Sequence, residues 1–269
     1  MRDIAIQRWN PERWDELVGN HDLRKFLFET LTLVRTSITA TRTVPASAYQ
    51  TLLVTGGSGA GKSCVVKLLL RCLGCQQLGA DMNPCQRTCS FCQQSPERYS
   101  VNVLWSRMNL ASHELPVDIM VVDAAKCQSK AQLLEMLAQV REWTDGLGVV
   151  FFDEAHRLQH SMADELLLTD MEQKNVLWLF ATAHPKQLDP MFRRRCTILK
   201  TKAPTPAELE GWITARCRAW GISFEPTAVK RAAARCNGTP ALCIPLLNLA
   251  SIRGDGLTVD LVENHWNVD

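Results

Sequence analysis

One stretch of this 269-residue sequence constrains the fold more than any other: Gly56-Gly57-Ser58-Gly59-Ala60-Gly61-Lys62-Ser63. It fits the phosphate-binding pattern G-x-x-x-x-G-K-[ST] at every position. The pattern works only between a strand and a helix, and both flanks read that way. Thr51 to Thr55 is apolar and β-branched, as in a buried strand, and Cys64 to Leu73 reads as a helix. Small residues let backbone N–H groups curl round an anion, and the helix N-terminus adds the positive end of its dipole. The motif therefore assigns Gly56, Gly57, Ser58, Gly59, Ala60, Gly61 and Cys64 to a triphosphate cradle. Lys62 would reach the β- and γ-phosphates, and the Ser63 hydroxyl would hold Mg²⁺, with ATP the expected nucleotide. A chance glycine-rich turn is the competing reading, and it leaves the strand and helix unexplained.

A second run supplies acids. Val149-Val150-Phe151-Phe152-Asp153-Glu154 is four apolar residues followed by two carboxylates, the Walker B pattern. A buried parallel strand delivers such a pair at its C-terminal end, where open α/β sheets bind their ligands. Asp153 would hold Mg²⁺, and Glu154 would orient and polarise an attacking water. Asp153-Glu154-Ala155-His156 also spells a helicase box, but the phosphate loop is not of that form and no second motor domain is recognisable. His156 reads as a residue that packs or bonds locally. Further strands are expected at Val117 to Asp123, Asn175 to Thr182 and Cys196 to Lys200, with an edge strand near Val101 to Trp105. Helices are expected over His21 to Val34, Lys130 to Glu142 (Leu133, Leu134, Leu137 and Val140 on one face) and Ser161 to Met171.

Bulk properties exclude little. A net charge of +2 gives no global nucleic-acid signature, though a local basic patch is compatible with it. No apolar run reaches the length of a membrane span, and the polar N-terminus lacks a signal-peptide core. No membrane partner and a cytoplasmic location are expected. In that setting eleven cysteines point to reduced thiols or a metal site rather than disulfides. Cys75, Cys85, Cys89 and Cys92 follow the loop helix with C-x9-C-x3-C-x2-C spacing. Thiolates are soft ligands suited to tetrahedral Zn²⁺. Spacing alone also allows a scatter of free thiols, with Cys72 a spare nearby.

The stretch Arg8-Trp9-Asn10-Pro11-Glu12-Arg13-Trp14-Asp15-Glu16-Leu17-Val18-Gly19 resembles the "R-P-x-x-[FW]-D-[ED]-[LV]-[VI]-G" opening of AAA+ ATPases, clamp loaders in particular. The resemblance covers about residues 5 to 252. It implies that Val18 and Gly19 lie near the adenine. Clamp-loader tau/gamma subunits carry a four-cysteine zinc module at the position of Cys75 to Cys92, so the resemblance implies structural Zn²⁺ there, although Cys85 and Cys89 are one residue further apart than usual. Asp123-Ala124-Ala125 resembles the family's "D-A-A". Thr182 stands at the sensor 1 position, which helps to place the water. Arg193-Arg194-Arg195-Cys196 is similar to the family's "S-R-C", whose arginine reaches the γ-phosphate of a neighbouring subunit. Arg195 is the match, with Arg194 in place of the serine, so the assignment among the three arginines stays open. Two departures stand out. Pro240 in Gly238-Thr239-Pro240-Ala241 falls about where a sensor 2 arginine is expected, and these 269 residues are expected to be too few to include the family's collar domain.

The expected fold is α/β: a P-loop AAA+ three-layer αβα domain with a parallel sheet over residues 1–202, an inserted four-cysteine zinc module at about 72–95, and a small helical lid over 203–269. Thr205-Pro206-Ala207-Glu208 is a capping box that starts the first lid helix, which stops at Gly221. Two more helices are expected over Pro226 to Cys236 and Ala241 to Ile252, then one short element in the tail. The resemblance implies an Mg²⁺–ATP-hydrolysing oligomer, ring or filament, that assembles on double-stranded DNA with further protein partners. An AAA+ transposition regulator and a weakly hydrolysing nucleotide-binding scaffold are the alternatives. Arg87, Lys126, Lys130 and Arg157 are candidate DNA-phosphate contacts, or plain surface charges.

Overall fold

The structure, a computed structural model, describes residues 11–41, 51–93, 103–105, 117–127, 129–143, 147–158, 167–173 and 175–266. Arg8 and Trp9, the linker over 42–50, most of 94–116 and the first part of the helix expected from Ser161 lie outside the described residues. The chain divides into two compact units. One comprises Asp22–Gly56 and Lys62–Thr201; the other comprises the described part of Met1–His21, Gly57–Gly61 and Lys202–Asp269.

The first unit is a three-layer α/β sandwich around one sheet. Strands β1 (Thr51–Thr55), β2 (Val103–Trp105), β3 (Val117–Asp123), β4 (Leu147–Asp153), β5 (Val176–Thr182) and β6 (Thr197–Lys200) lie in the order β2-β3-β4-β5-β1-β6. Five strands are parallel, and the short edge strand β2 runs antiparallel to β3. All of β1 and β5, and β4 up to Phe152, are buried. Parallel strands are covered on both faces, which is why their sequences are continuous apolar runs rather than alternating ones. The core gathers Leu53, Val122, Val150, Phe152, Trp178 and Phe180. Phe152 stacks on Phe180 with centroids 5.4 Å apart, and Phe192 meets Phe180 edge-on at 4.8 Å. Burial of one such ring contributes roughly 2–3 kcal/mol.

Helix α1 (His21–Thr41) buries Leu23, Leu27, Leu31 and Val34, an i, i+4, i+8, i+11 stripe. Helix α2 (Lys62–Gly74) packs on β5 and β3. A single turn, α3 (Ser90–Gln93), closes the cysteine segment. Helix α4 (Lys130–Arg141) starts at the Ser129 cap and buries Leu133, Leu137 and Val140. Leu134, assigned to that face from the sequence, is exposed, because it lies one residue, about 100°, round from Leu133. Of the helix expected to Met171, the described residues show one turn, α5 (Leu168–Asp170). Helix α6 (Pro190–Arg194) is capped by Asp189 and seats Phe192 in the core.

The second unit is helical: α7 (Pro206–Trp220), α8 (Pro226–Arg235), α9 (Cys243–Arg253) and α10 (Val259–Trp266). The Thr205/Glu208 capping box opens α7, and Gly221, at φ 67°, closes it. Ile213, Cys217, Ala228, Ala232, Leu246, Leu247 and Val262 form its core. The segment around Trp14–Glu16 is fixed to α7: Trp212 Nε1–H donates to the Glu16 carbonyl at 2.9 Å, and Arg216 pairs with the Glu16 carboxylate at 2.9 Å. Cys236 and Cys243 are joined as a disulfide, Cα–Cα 6.3 Å, across the Asn237-Gly238 turn. The sequence expectation of reduced thiols or a metal site covered all eleven cysteines, and this pair departs from it, because the turn between two helices brings both sulfurs together in the core.

Candidate functional site

The C-terminal edge of the sheet gathers the residues that the motifs single out. Thr55 is in register with Thr182, and Asp123 with Asp153, so β1, β5, β4 and β3 end together. Gly56 follows β1 at a point of close approach. Thr201 donates to the Thr55 carbonyl from its amide (2.7 Å) and from its hydroxyl (3.1 Å). A Cβ on Gly56 would overlap that hydroxyl oxygen, so only glycine fits. The loop then turns back with Ala60 N–H donating to the Gly57 carbonyl at 3.3 Å. Within the second unit, a Cβ on Gly59 would meet the Thr239 methyl, which places the residue before Pro240 against the loop.

Lys62 opens α2, and its ammonium donates to the Gly56 carbonyl at 3.1 Å. Burial lowers its pKa, and the nearby Glu154 and Asp153 carboxylates oppose the shift. Ser63 donates its hydroxyl proton to Asp153 Oδ1 at 2.9 Å, across ninety residues of sequence. Burial raises the Asp153 pKa, with the Ser63 hydrogen bond opposing. One hydroxyl and one carboxylate are hard oxygen donors of the kind that Mg²⁺ accepts beside phosphate oxygens and water, so the pair fits that ion.

Glu154 leaves β4 in the left-handed region, φ 52° and ψ 42°. Its N–H donates to Asp153 Oδ1 at 3.1 Å, and the turn Ala155–Arg157 folds His156 back beside its side chain. Glu154 Oε2 lies 3.3 Å from His156 Nδ1. That nitrogen is also 3.1 Å from Thr182 Oγ1, which accepts from the His184 N–H at 3.0 Å. His156 and His184 meet edge-on, centroids 4.7 Å apart. Sequence reading had His156 packing or bonding locally without naming its partners and passed over His184; the available signal was that His184 lies two residues beyond a strand-end threonine. Arg195 is held elsewhere. Its Nη1 donates to the Leu168 carbonyl and the Glu172 carboxylate, both at 2.8 Å, and the side chain stays 41% exposed. Lys126, Lys130 and Arg157 are exposed, on the turn after β3, at the start of α4 and on the turn after β4. Arg87 is half-buried within the cysteine segment.

The sulfurs of Cys75, Cys85, Cys89 and Cys92 all lie within 4.8 Å of one another. Backbone amides point at them in series: Cys85 N–H to Cys75 Sγ at 3.3 Å, Cys89 N–H to Cys85 Sγ and Cys92 N–H to Cys89 Sγ, both at 3.4 Å. A hydrogen bond from the Cys92 thiol holds Cys75 down at about 5, and the same contact pushes Cys92 up. A tetrahedral ZnS₄ group has S–S edges of about 3.8 Å, from Zn–S bonds of about 2.3 Å, so the four sulfurs fit Zn²⁺ with little movement. Cys72 stands apart; its thiol donates to the Met82 carbonyl. Arg35 ties the cluster to the end of α2 through the carbonyls of Cys72, Leu73 and Cys75.

Val18 packs against the second unit's core. Gly19 turns at φ 62° beside Pro204, and the next residue, Asn20, accepts from the Lys202 N–H at 2.6 Å.

The chain is similar to known proteins along nearly its whole length. It is 21% identical to DNA polymerase III subunit gamma of Buchnera aphidicola subsp. Acyrthosiphon pisum (strain APS) over 256 residues, covering 94% of this chain and 63% of that protein. The chain thus spans under two thirds of that relative's length. A structure of Thermotoga maritima RuvB described as a Holliday junction branch migration motor superposes with a TM-score of 0.62 at 18% identity, covering 97% of this chain and 74% of the other. Caenorhabditis elegans PCH-2 superposes with a TM-score of 0.57 at 16% identity, covering 93% and 69%. A family model described as an AAA domain matches residues 46–192, more than half of the sequence and the span from the approach to the phosphate loop to Phe192. The chain belongs to the AAA domain family.

Proposed function

We propose that the protein is an AAA+ ATPase that hydrolyses Mg²⁺–ATP. The observation that carries this reading is the convergence at one sheet edge: Ser63 bonded to Asp153, with Glu154 and Thr182 within reach of one histidine nitrogen. The loop Gly56 to Ser63, with Cys64 behind it, binds the triphosphate through backbone amides. Lys62 places a cation at the transferred phosphoryl group. Ser63 and Asp153 would hold Mg²⁺, which supplies charge neutralisation of the phosphate oxygens. Glu154 orients the attacking water as base, and Thr182 donates to the γ-phosphate or the water. Val18 and Gly19 sit at the adenine. Residues 1–202 act as the nucleotide domain, and 203–269 act as its lid.

Assembly on double-stranded DNA, clamp-loader-like, is the process we infer. Support comes from the gamma-subunit relative and from the basic side chains of Lys126, Lys130 and Arg157, exposed after β3 and β4. An arginine of the Arg193 to Arg195 run serves a neighbouring subunit's nucleotide, and such a residue is worth about 10³–10⁵ in rate. For Arg195 this means releasing Glu172 and Leu168 first. The four cysteines would hold structural Zn²⁺, since protein sulfurs fill all four positions. Pro240 favours a second reading, slow hydrolysis by a nucleotide-binding scaffold, because it offers no cation where the resemblance expects one.

The test is steady-state ATP hydrolysis with and without duplex DNA, for wild type and Glu154→Gln. The change should lower kcat about 10²–10⁴-fold while nucleotide binding persists. Equal rates in the two proteins would refute the enzyme reading.

A further inference from the structure

One ring nitrogen of His156 faces two groups that the proposed reaction uses. Nδ1 lies 3.1 Å from Thr182 Oγ1 and 3.3 Å from Glu154 Oε2. The side chain is 11% exposed and sits edge-on against His184, so the ring is positioned rather than loose. The Glu154 backbone makes the same point. A residue with a side chain adopts φ 52°, ψ 42° where its surroundings hold it there, and Arg157 N–H, donating to the Glu154 carbonyl at 2.8 Å, closes the turn that does so.

Counting protons shows what the arrangement can do. The Thr182 hydroxyl has one proton and two lone pairs, and one lone pair takes the His184 N–H. If Nδ1 carries a lone pair, the Thr182 proton goes to His156, and the Glu154 carboxylate faces a lone pair that offers it nothing. If Nδ1 carries the proton, it donates between Thr182 Oγ1 and Glu154 Oε2. The carboxylate is then held, and the Thr182 proton is free for another acceptor. Both states are a neutral ring that differs only in tautomer, and passing from one to the other releases the Nε2 proton to water as Nδ1 takes a proton from water. Burial lowers the His156 pKa, and His184, Arg157 and Lys62 act the same way while Glu154 opposes, which favours the neutral ring.

We propose that His156 is a positioning residue whose Nδ1 links the Thr182 hydroxyl to the Glu154 carboxylate, so that a phosphate accepting the Thr182 proton fixes the orientation of Glu154. The link rests on the ATPase reading above. It predicts that kcat, rather than substrate binding, depends on His156.

The experiment measures ATP hydrolysis by wild type, His156→Ala, His156→Asn and His156→Gln, each checked for a folded state by its thermal midpoint. His156→Ala should lower kcat about 10–100-fold, the scale of a catalytic group misplaced by an ångström, with KM within about threefold. The asparagine amide reaches the place of Nδ1, so His156→Asn should recover about tenfold of that loss. The glutamine amide reaches the place of Nε2, so His156→Gln should not. A wild-type kcat in His156→Ala, or an asparagine variant no faster than glutamine, would overturn the link, and the Asn–Gln comparison stands even where the alanine variant does not fold. The ¹⁵N spectrum of the His156 ring in wild-type protein reads the tautomer without turnover. Mg²⁺ with a non-hydrolysable ATP analogue should move the proton onto Nδ1, and an unchanged ring would also overturn the link. A wild type without ATPase activity would refute the function proposed above, and the ring spectrum would then decide this inference by itself.

Discussion

Gly74→Ala sets two known effects against each other at the base of the cysteine cluster. Gly74 is the last residue of α2, and its φ is not in the left-handed region. By helix preference alone, alanine should stabilise the helix by about 0.5–1 kcal/mol. Packing says the opposite. A Cβ on Gly74 would fall inside the van der Waals envelope of three Phe91 ring atoms, Cζ, Cε1 and Cε2. Phe91 is 2% exposed and belongs to the turn that carries Cys92, so the ring can move only by moving that turn. Overpacking of this kind costs about 1–3 kcal/mol. The clash therefore wins, and a net loss of about 1–2 kcal/mol is expected. The assay is chemical denaturation of the reduced protein together with a competitive Zn²⁺ titration. Gly74→Ala should unfold at lower denaturant and bind metal more weakly, and adding Phe91→Leu should return part of both. A variant as stable as wild type, with equal metal affinity, would refute the argument that the turn bearing Cys92 is built on the end of α2.

Two further outcomes follow from the same geometry. Protein purified under reducing conditions should hold one Zn²⁺ per chain, Cys92→Ser should lose it and Cys72→Ser should keep it; metal content below one per chain, or loss with Cys72→Ser, would count against the assigned ligands. The Glu208 carboxyl is held below the usual carboxylate range, first by the Thr205 N–H at 2.7 Å, then by the Thr205 hydroxyl at 2.9 Å. A depressed folded pKa gives stability that is present above the unfolded value of about 4.3 and is lost as pH falls through the folded one. Glu208→Gln should therefore destabilise by about half a kcal/mol at pH 7, allowing for the solvent screening of a partly exposed group, and the gap should shrink as pH falls below the unfolded value. A gap that is constant with pH, measured by urea denaturation, would show that the carboxylate charge adds nothing to the cap.

Much of the local structure that carries the candidate site was legible because its signals are local. The phosphate loop, the run ending in Asp153-Glu154 and the Thr205 capping box each tie a residue type to a backbone geometry within a few positions. One local signal was overlooked. Pro245 has no N–H, and the first intrahelical bond comes from the fourth helical residue, so α9 cannot begin before Cys243; the sequence reading began it at Ala241. The faces of α4 were legible to within one residue, since Leu133, Leu137 and Val140 define the buried stripe and Leu134 only borders it. Partners far apart in sequence were not legible. The run that contains Arg195 could be located, but not its bonds to Leu168 and Glu172, which depend on how α5 and α6 approach each other.

The strand order explains why the His156 contact in particular lay beyond sequence reasoning. β4 and β5 are sheet neighbours, with Phe152 in register with Phe180. The turn after β4 and the residues ending β5 therefore share one edge, and His156 spans them to reach Thr182 across 26 positions of chain. The sequence reveals two strands of the right length but not that they are adjacent. It also gives no hint that Glu154 departs in the left-handed region, which swings His156 back toward β5 instead of onward with the chain. Adjacency and turn geometry are both needed. With β5 elsewhere in the sheet, or Glu154 in an ordinary helical conformation, the same residues would leave the carboxylate and the threonine unconnected.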